Sequence, residues 1–200
     1  YAAGATGNGI MVGVVDTGID LDHPEFAGVI DAGSIDIVTG SAATLGDVDG
    51  HGTAVAGIIG ARRNGALSHG VAFGARLLVV RADAPGSCPG ACAFDQANVA
   101  AATDYAVNQG AQVINYSLGG TGSLDGALGD ALERAVAAGR ILVLAAQQIA
   151  LAGITGAVGQ HEVVRKVARV SRPWNEMIHG GRRRQRLQGQ APFGGVVPGE

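Results

Sequence analysis

Short, unbroken apolar runs constrain the fold of this 200-residue chain more than any other feature. Residues 10–15, 77–80 and 141–144 are too short for buried helices and do not alternate with polar residues. That is the pattern of strands covered on both faces in a parallel sheet. Val113-Ile114 opens a further strand, and residues 34–38 read as a short one. Between these runs the period changes. A helix is predicted over 95–109, with Asp95 as its cap and Gly110 placed to end it, and another over 123–138. In the second, Leu124, Leu128, Leu132 and Val136 recur every fourth residue, Ser123 can cap the start, and Gly139 can stop it. Strand alternating with helix predicts an α/β fold: a doubly wound parallel sheet, helices on both faces, right-handed crossovers. Such sheets place ligands beyond the carboxyl ends of their strands, which is where the first run delivers Asp16.

Thirty-five residues later, His51 lies between two glycines at the first turn of a predicted helix rich in small residues, Gly52, Ala54, Ala56 and Gly57. Unpaired N–H groups and a positive macrodipole at a helix start favour a neutral imidazole, which is what a general base must be. Asp16 is then a candidate to orient His51. Asp47 and Asp49, just before the histidine, read as a polar turn and helix cap rather than a metal cluster. Asp-Thr-Gly also occurs in aspartic proteases, which need two such carboxylates sharing a proton; no second copy is present, and although a homodimer could supply one, the His51-Gly52-Thr53 that follows has no place in that mechanism.

The stretches Val14-Val15-Asp16-Thr17-Gly18-Ile19-Asp20 and Asp49-Gly50-His51-Gly52-Thr53-Ala54-Val55-Ala56-Gly57 resemble the aspartate and histidine motifs of the subtilisin-like serine proteases, the subtilases. Gly70-Val71-Ala72-Phe73-Gly74-Ala75 and Asn115-Tyr116-Ser117-Leu118-Gly119-Gly120 are similar to further segments of that family, so the likeness runs over about residues 4–146. It implies serine-type hydrolysis of peptide bonds in protein or peptide substrates, with Asp16 and His51 catalytic. It also implies that Ser117, Leu118 and Gly119 bind the extended substrate backbone by strand addition. Calcium is the one cofactor the family suggests. Glu25 stands where some members carry a calcium-binding acid, but no calcium site, nor any other metal site, can be assembled from the residues around it. His23, in His23-Pro24-Glu25-Phe26, reads as a turn residue. The wording Gly-Val-Ala-Phe and the short loop before it resemble subtilases of bacterial cell surfaces, autotransporters included, which implies a secreted or surface location.

Beyond residue 146 the resemblance fails. Family members continue Ala-Ala-Gly-Asn, the asparagine donating to the developing oxyanion, whereas this chain reads Ala145-Ala146-Gln147-Gln148. Gln148 carries the same amide on a longer stem and is the only stand-in, a weak one; losing such a donor costs on the order of 3 kcal/mol of barrier. No Gly-Thr-Ser occurs, and Ser171 lacks the nucleophile's surroundings. Charge changes there too: residues 1–159 hold 6 Lys+Arg against 14 Asp+Glu, residues 160–200 hold 8 against 3. The expected organisation is the N-terminal part of a catalytic domain over 1–146, incomplete at its C-terminal side, and a divergent basic tail over 147–200. A shift of reading frame near Ala146 would account for motif, composition and charge changing together. As written, the chain is expected to be inactive or a peptide-binding relative.

The arginine run at 182–186 can attract phosphates but has no aromatic residues or binding fold around it, so no nucleic-acid partner is expected. Uncharged residues 141–160 approach the length of a membrane span, yet Gln147, Gln148 and several glycines dilute them, and a buried strand followed by a loop is expected instead. Cys88 and Cys92 flank Pro89-Gly90-Ala91, a turn suited to a small-loop disulfide, with two free thiols as the alternative; two thiols alone cannot complete a zinc site.

Overall fold

The computed structural model describes residues 4–119, 124 and 126–145. Among these residues five strands form one parallel sheet: β1 (Met11–Asp16), β2 (Ile35–Asp36), β3 (Arg76–Arg81), β4 (Val113–Tyr116) and β5 (Ile141–Leu144), in the order β2-β3-β1-β4-β5. Among the described residues three α-helices connect them: α1 (His51–Gly60), α2 (Gln96–Asn108) and α3 (Gly126–Ala137).

Alternation along each strand feeds two cores. Val12 and Val14 of β1 and Leu77 and Val79 of β3 meet Val55 and Ala56 of α1 on one face. Met11, Val15, Leu78, Val80, Ile114, Leu142 and Leu144 meet α2 and α3 on the other, through Val99, Ala102, Ala106, Leu128, Leu132 and Ala135. Helices therefore cover both faces, as the unbroken apolar runs require. Each fully buried Leu, Ile or Val contributes roughly 1.5–3 kcal/mol.

Two expectations are adjusted. The strand expected over 34–38 shrinks to Ile35–Asp36, because the Asp36 carboxylate turns back to accept from the N–H groups of Val38 and Thr39. Among the described residues the last helix begins at Gly126; Ser123, expected to cap it, lies outside them. Leu128 and Leu132 of that helix are buried, joined by Ala131 and Ala135, while Leu124 and Val136 pack at the margin. Residues 141–144 form β5, and among the described residues no helix is long and apolar enough to cross a membrane.

Candidate active site

Asp16 ends β1, the middle strand, and is completely buried. Its Oδ1 accepts from the Thr17 N–H at 2.8 Å and from His51 Nδ1 at 2.6 Å. A carboxylate can only accept here, so Nδ1 carries the proton and the imidazole's other nitrogen is left as the basic one. The His51 side chain is 20% exposed. Strand and helix thus bring together the two residues that the motifs single out.

Electrostatically the pair differs from expectation. The helix start was expected to favour neutral imidazole, but the hydrogen bond to Asp16 raises the His51 pKa above its ordinary 6.5. Burial works against the rise, and the charges of Asp16, Asp49 and Asp47 add to it. A full charge in direct contact outweighs the partial charge of a helix terminus.

The two motifs interlock through their small residues. A methyl group at Gly52 would overlap the Gly18 carbonyl oxygen, and Gly18 itself has φ +113° and faces the Leu45 carbonyl. Thr17 Oγ1 accepts from the Gly52 N–H at 2.9 Å and donates to Asp47 Oδ1 at 2.9 Å. Asp47 also takes the Gly50 N–H at 2.9 Å and, through Oδ2, both the Thr53 N–H at 2.8 Å and its hydroxyl at 2.6 Å. Gly50, the residue capping α1, has no side chain, and the Gly52 and Thr53 N–H groups of the helix's first turn are met instead by Thr17 and Asp47. Asp47 is thus both the turn residue and the helix cap that its place before His51 suggests, whereas the part played by the Thr17 and Thr53 hydroxyls, which reach this carboxylate from a strand end and a helix, is not revealed by spacing. Arg81 braces the neighbouring loop, donating to Thr44 O and Gly46 O while its guanidinium forks onto Asp83.

Beside Asp16 lies the segment after β4. Val15 pairs with Tyr116, so Ser117 follows at the same sheet edge one strand over from Asp16. Ser117 and Leu118 are half-buried and Gly119 is exposed; Ser117 Oγ accepts from Asn115 Nδ2 at 3.0 Å. Cys88 and Cys92 are joined in a disulfide, and the loop they close reaches the site, its Gly90 N–H donating to Asp49 Oδ1 at 3.2 Å. His23 holds a turn, Nδ1 accepting from the Glu25 N–H. Gln148, the oxyanion candidate, lies outside the described residues, as do Ser171 and the tail.

Glu25 is buried; its Oε2 accepts from Asn64 Nδ2 at 3.2 Å and its Oε1 has no partner among the described residues. One carboxylate and one amide fall short of the roughly six to eight oxygens that calcium takes. Among the described residues no group of three or more His, Cys, Asp or Glu is placed to hold a metal ion.

A parallel α/β sheet with a buried carboxylate and a histidine joined at its carboxyl edge is the framework on which serine hydrolases of one large class are built. The chain belongs to the subtilase family, whose sequence profile matches residues 7–153, past the point at which the motifs stop being readable. It is 35% identical over 148 residues to fervidolysin of Fervidobacterium pennivorans, covering 71% of this chain and 21% of that protein. The crystal structure of fervidolysin, described as a keratinolytic enzyme related to subtilisin, superposes with a TM-score of 0.64 over 73% of this chain and 22% of that one, at 32% identity. An extracellular serine proteinase of Thermus sp. (strain Rt41A) is 41% identical over 149 residues, 73% of this chain and 33% of its own. The major intracellular serine protease of Bacillus subtilis (strain 168) is 35% identical over 148 residues, 73% of this chain and 45% of its own. The chain thus spans less than half the length of each of these relatives.

Proposed function

We propose that this chain is the aspartate- and histidine-bearing part of a subtilisin-like serine endopeptidase, and that the observation carrying this is the 2.6 Å contact of His51 Nδ1 with the buried Asp16. Asp16 holds the imidazole in one tautomer and stabilises the imidazolium that forms. His51 takes the proton of an attacking hydroxyl and later returns it to the leaving amine. Ser117, Leu118 and Gly119 offer backbone to an extended peptide, which the exposed Gly119 leaves room to approach. Substrates are proteins or peptides.

Neither a Gly-Thr-Ser nucleophile motif nor the family's oxyanion asparagine is found among the 200 residues. Peptide hydrolysis by these residues alone is therefore expected to be absent, with residues 147–200 a divergent tail. Reading the gene from codon 140 to well past codon 200 in all three frames tests the latter: Ala-Gly-Asn followed by Gly-Thr-Ser in another frame identifies a frame shift. The disulfide and the extracellular Thermus relative support a secreted or surface location.

A second reading, a subtilase-like protein that binds peptides without cleaving them, is supported by the position of Ser117 one strand over from Asp16 and the exposure of Gly119 beyond it. Fluorescence anisotropy with a labelled unstructured peptide, alongside a cleavage assay, separates the two. Binding without cleavage, lost in Gly119→Phe, supports the binding protein. Turnover by a rigorously purified sample, abolished by His51→Ala, supports a complete enzyme and sinks the expectation of inactivity.

A further inference from the structure

We propose that Asp47 is a positioning residue for the Asp16–His51 pair: by gripping Thr17 and Thr53 together, it locks the end of β1 to the first turn of α1. The role rests on the proposed task of His51 as base. Three segments converge on this one carboxylate. From the strand end comes the Thr17 hydroxyl; from the turn, the N–H groups of Asp49 and Gly50; from the helix, the N–H and hydroxyl of Thr53. The bound hydroxyls extend the grip, Thr17 Oγ1 accepting from the Gly52 N–H and Thr53 Oγ1 from the Asp20 N–H.

An ordinary helix cap needs one acceptor for one or two N–H groups. It has no need to reach Thr17, whose neighbour in the chain is Asp16. Because Thr17 and Gly52 adjoin Asp16 and His51, the network fixes the separation of the pair itself. A slip of about 1 Å between strand and helix would stretch the 2.6 Å contact beyond hydrogen-bonding distance.

The grip also persists while the imidazole titrates. Burial pushes the Asp47 pKa up, but the donors from Thr53, Gly50 and Thr17 together outweigh it and hold the carboxyl below its ordinary value. Charged groups around the site are Asp16 on β1, Asp49 on the turn, and Arg81 on β3, which feels Asp47 electrostatically.

The experiment follows His51 in the full 200-residue chain by NMR, assigned through His51→Gln. Two signals are read: the imidazole titration midpoint, and the low-field Nδ1 proton resonance of a histidine hydrogen-bonded to a carboxylate. Asp49→Asn removes a nearby charge outside the grip, and is expected to lower the midpoint while keeping the low-field signal. Asp47→Asn is expected to lower the midpoint further and abolish the signal. Thr17→Val, which changes no charge, is expected to abolish it too, with Thr17→Ser restoring it; these variants decide the matter where Asp47→Asn does not fold. An Asp16-dependent signal that survives both Asp47→Asn and Thr17→Val overturns the positioning role alone. A midpoint and signal indifferent to Asp16→Asn overturn the base reading, and this role with it.

Discussion

Gly52 packs against the carbonyl of Gly18 with no room for a methyl group between them. One glycine follows the candidate base and the other closes the Asp-Thr-Gly turn, so the two motifs are halves of one joint. Backbone touches backbone there, and neither partner can rotate aside as a side chain would.

Gly52→Ala therefore wedges α1 away from β1, since the new Cβ would also lie 3.0 Å from the Gly18 nitrogen and 3.2 Å from the Thr17 nitrogen. The expected loss is about 1–3 kcal/mol, the cost of overpacking a tight interior. Urea unfolding checks it, as a lower midpoint at unchanged slope.

Asp16→Asn should destabilise in a pH-dependent way. The His51 pKa is raised in the folded state, chiefly by the hydrogen bond to Asp16. The stabilisation from the charged pair is therefore fully present below 6.5 and lost as pH rises through the shifted value. The gap in unfolding free energy between the parent and Asp16→Asn should narrow from about pH 5 to about pH 9. Denaturant titrations across that range measure it; a gap that widens with pH contradicts the assignment.

Leu77→Ala and Leu132→Ala should each cost about 2–5 kcal/mol, being nearly or fully buried leucines. They should differ at the site. Leu77 supports α1, where a Cβ on Gly60 would lie 2.9 Å from its Cδ2, whereas Leu132 belongs to the core on the opposite face of the sheet. The His51 imidazole shift should move in Leu77→Ala and stay put in Leu132→Ala.

Replacing Cys88 and Cys92 by serine should lower stability by on the order of 2 kcal/mol, the entropy of closing so short a loop. The local effect is sharper: Gly90, held to Asp49, should lose protection of its amide against hydrogen exchange. Equal Gly90 exchange rates in the parent and the double variant would contradict this.

The strands were legible because a parallel strand buried on both faces has no polar positions, and residues 10–15, 77–80 and 141–144 show that plainly. β2 was overestimated because the sequence cannot show Asp36 folding back on its own backbone. At the site, Asp16 and His51 stood out through their motifs, while Thr17, Asp47 and Thr53 did not. Their bonds span 30, 35 and 6 residues, and a threonine hydroxyl looks the same in sequence whether it faces solvent or a carboxylate. The sign of the His51 shift was missed for a related reason: the helix terminus is visible in the chain's pattern, but the 2.6 Å approach of Asp16 exists only once strand and helix have packed.

β1 lies in the middle of the sheet, paired along its length with β3 and over four residues with β4. Among the described strands β2 and β5 lie outermost, and fraying there leaves those pairings untouched. The amides around Val14 and Val15 should then exchange with solvent only when the whole sheet comes apart, while those of β2 and β5 exchange through smaller openings. The carboxylate proposed to steer the base is thereby anchored in the part of the described sheet expected to open last.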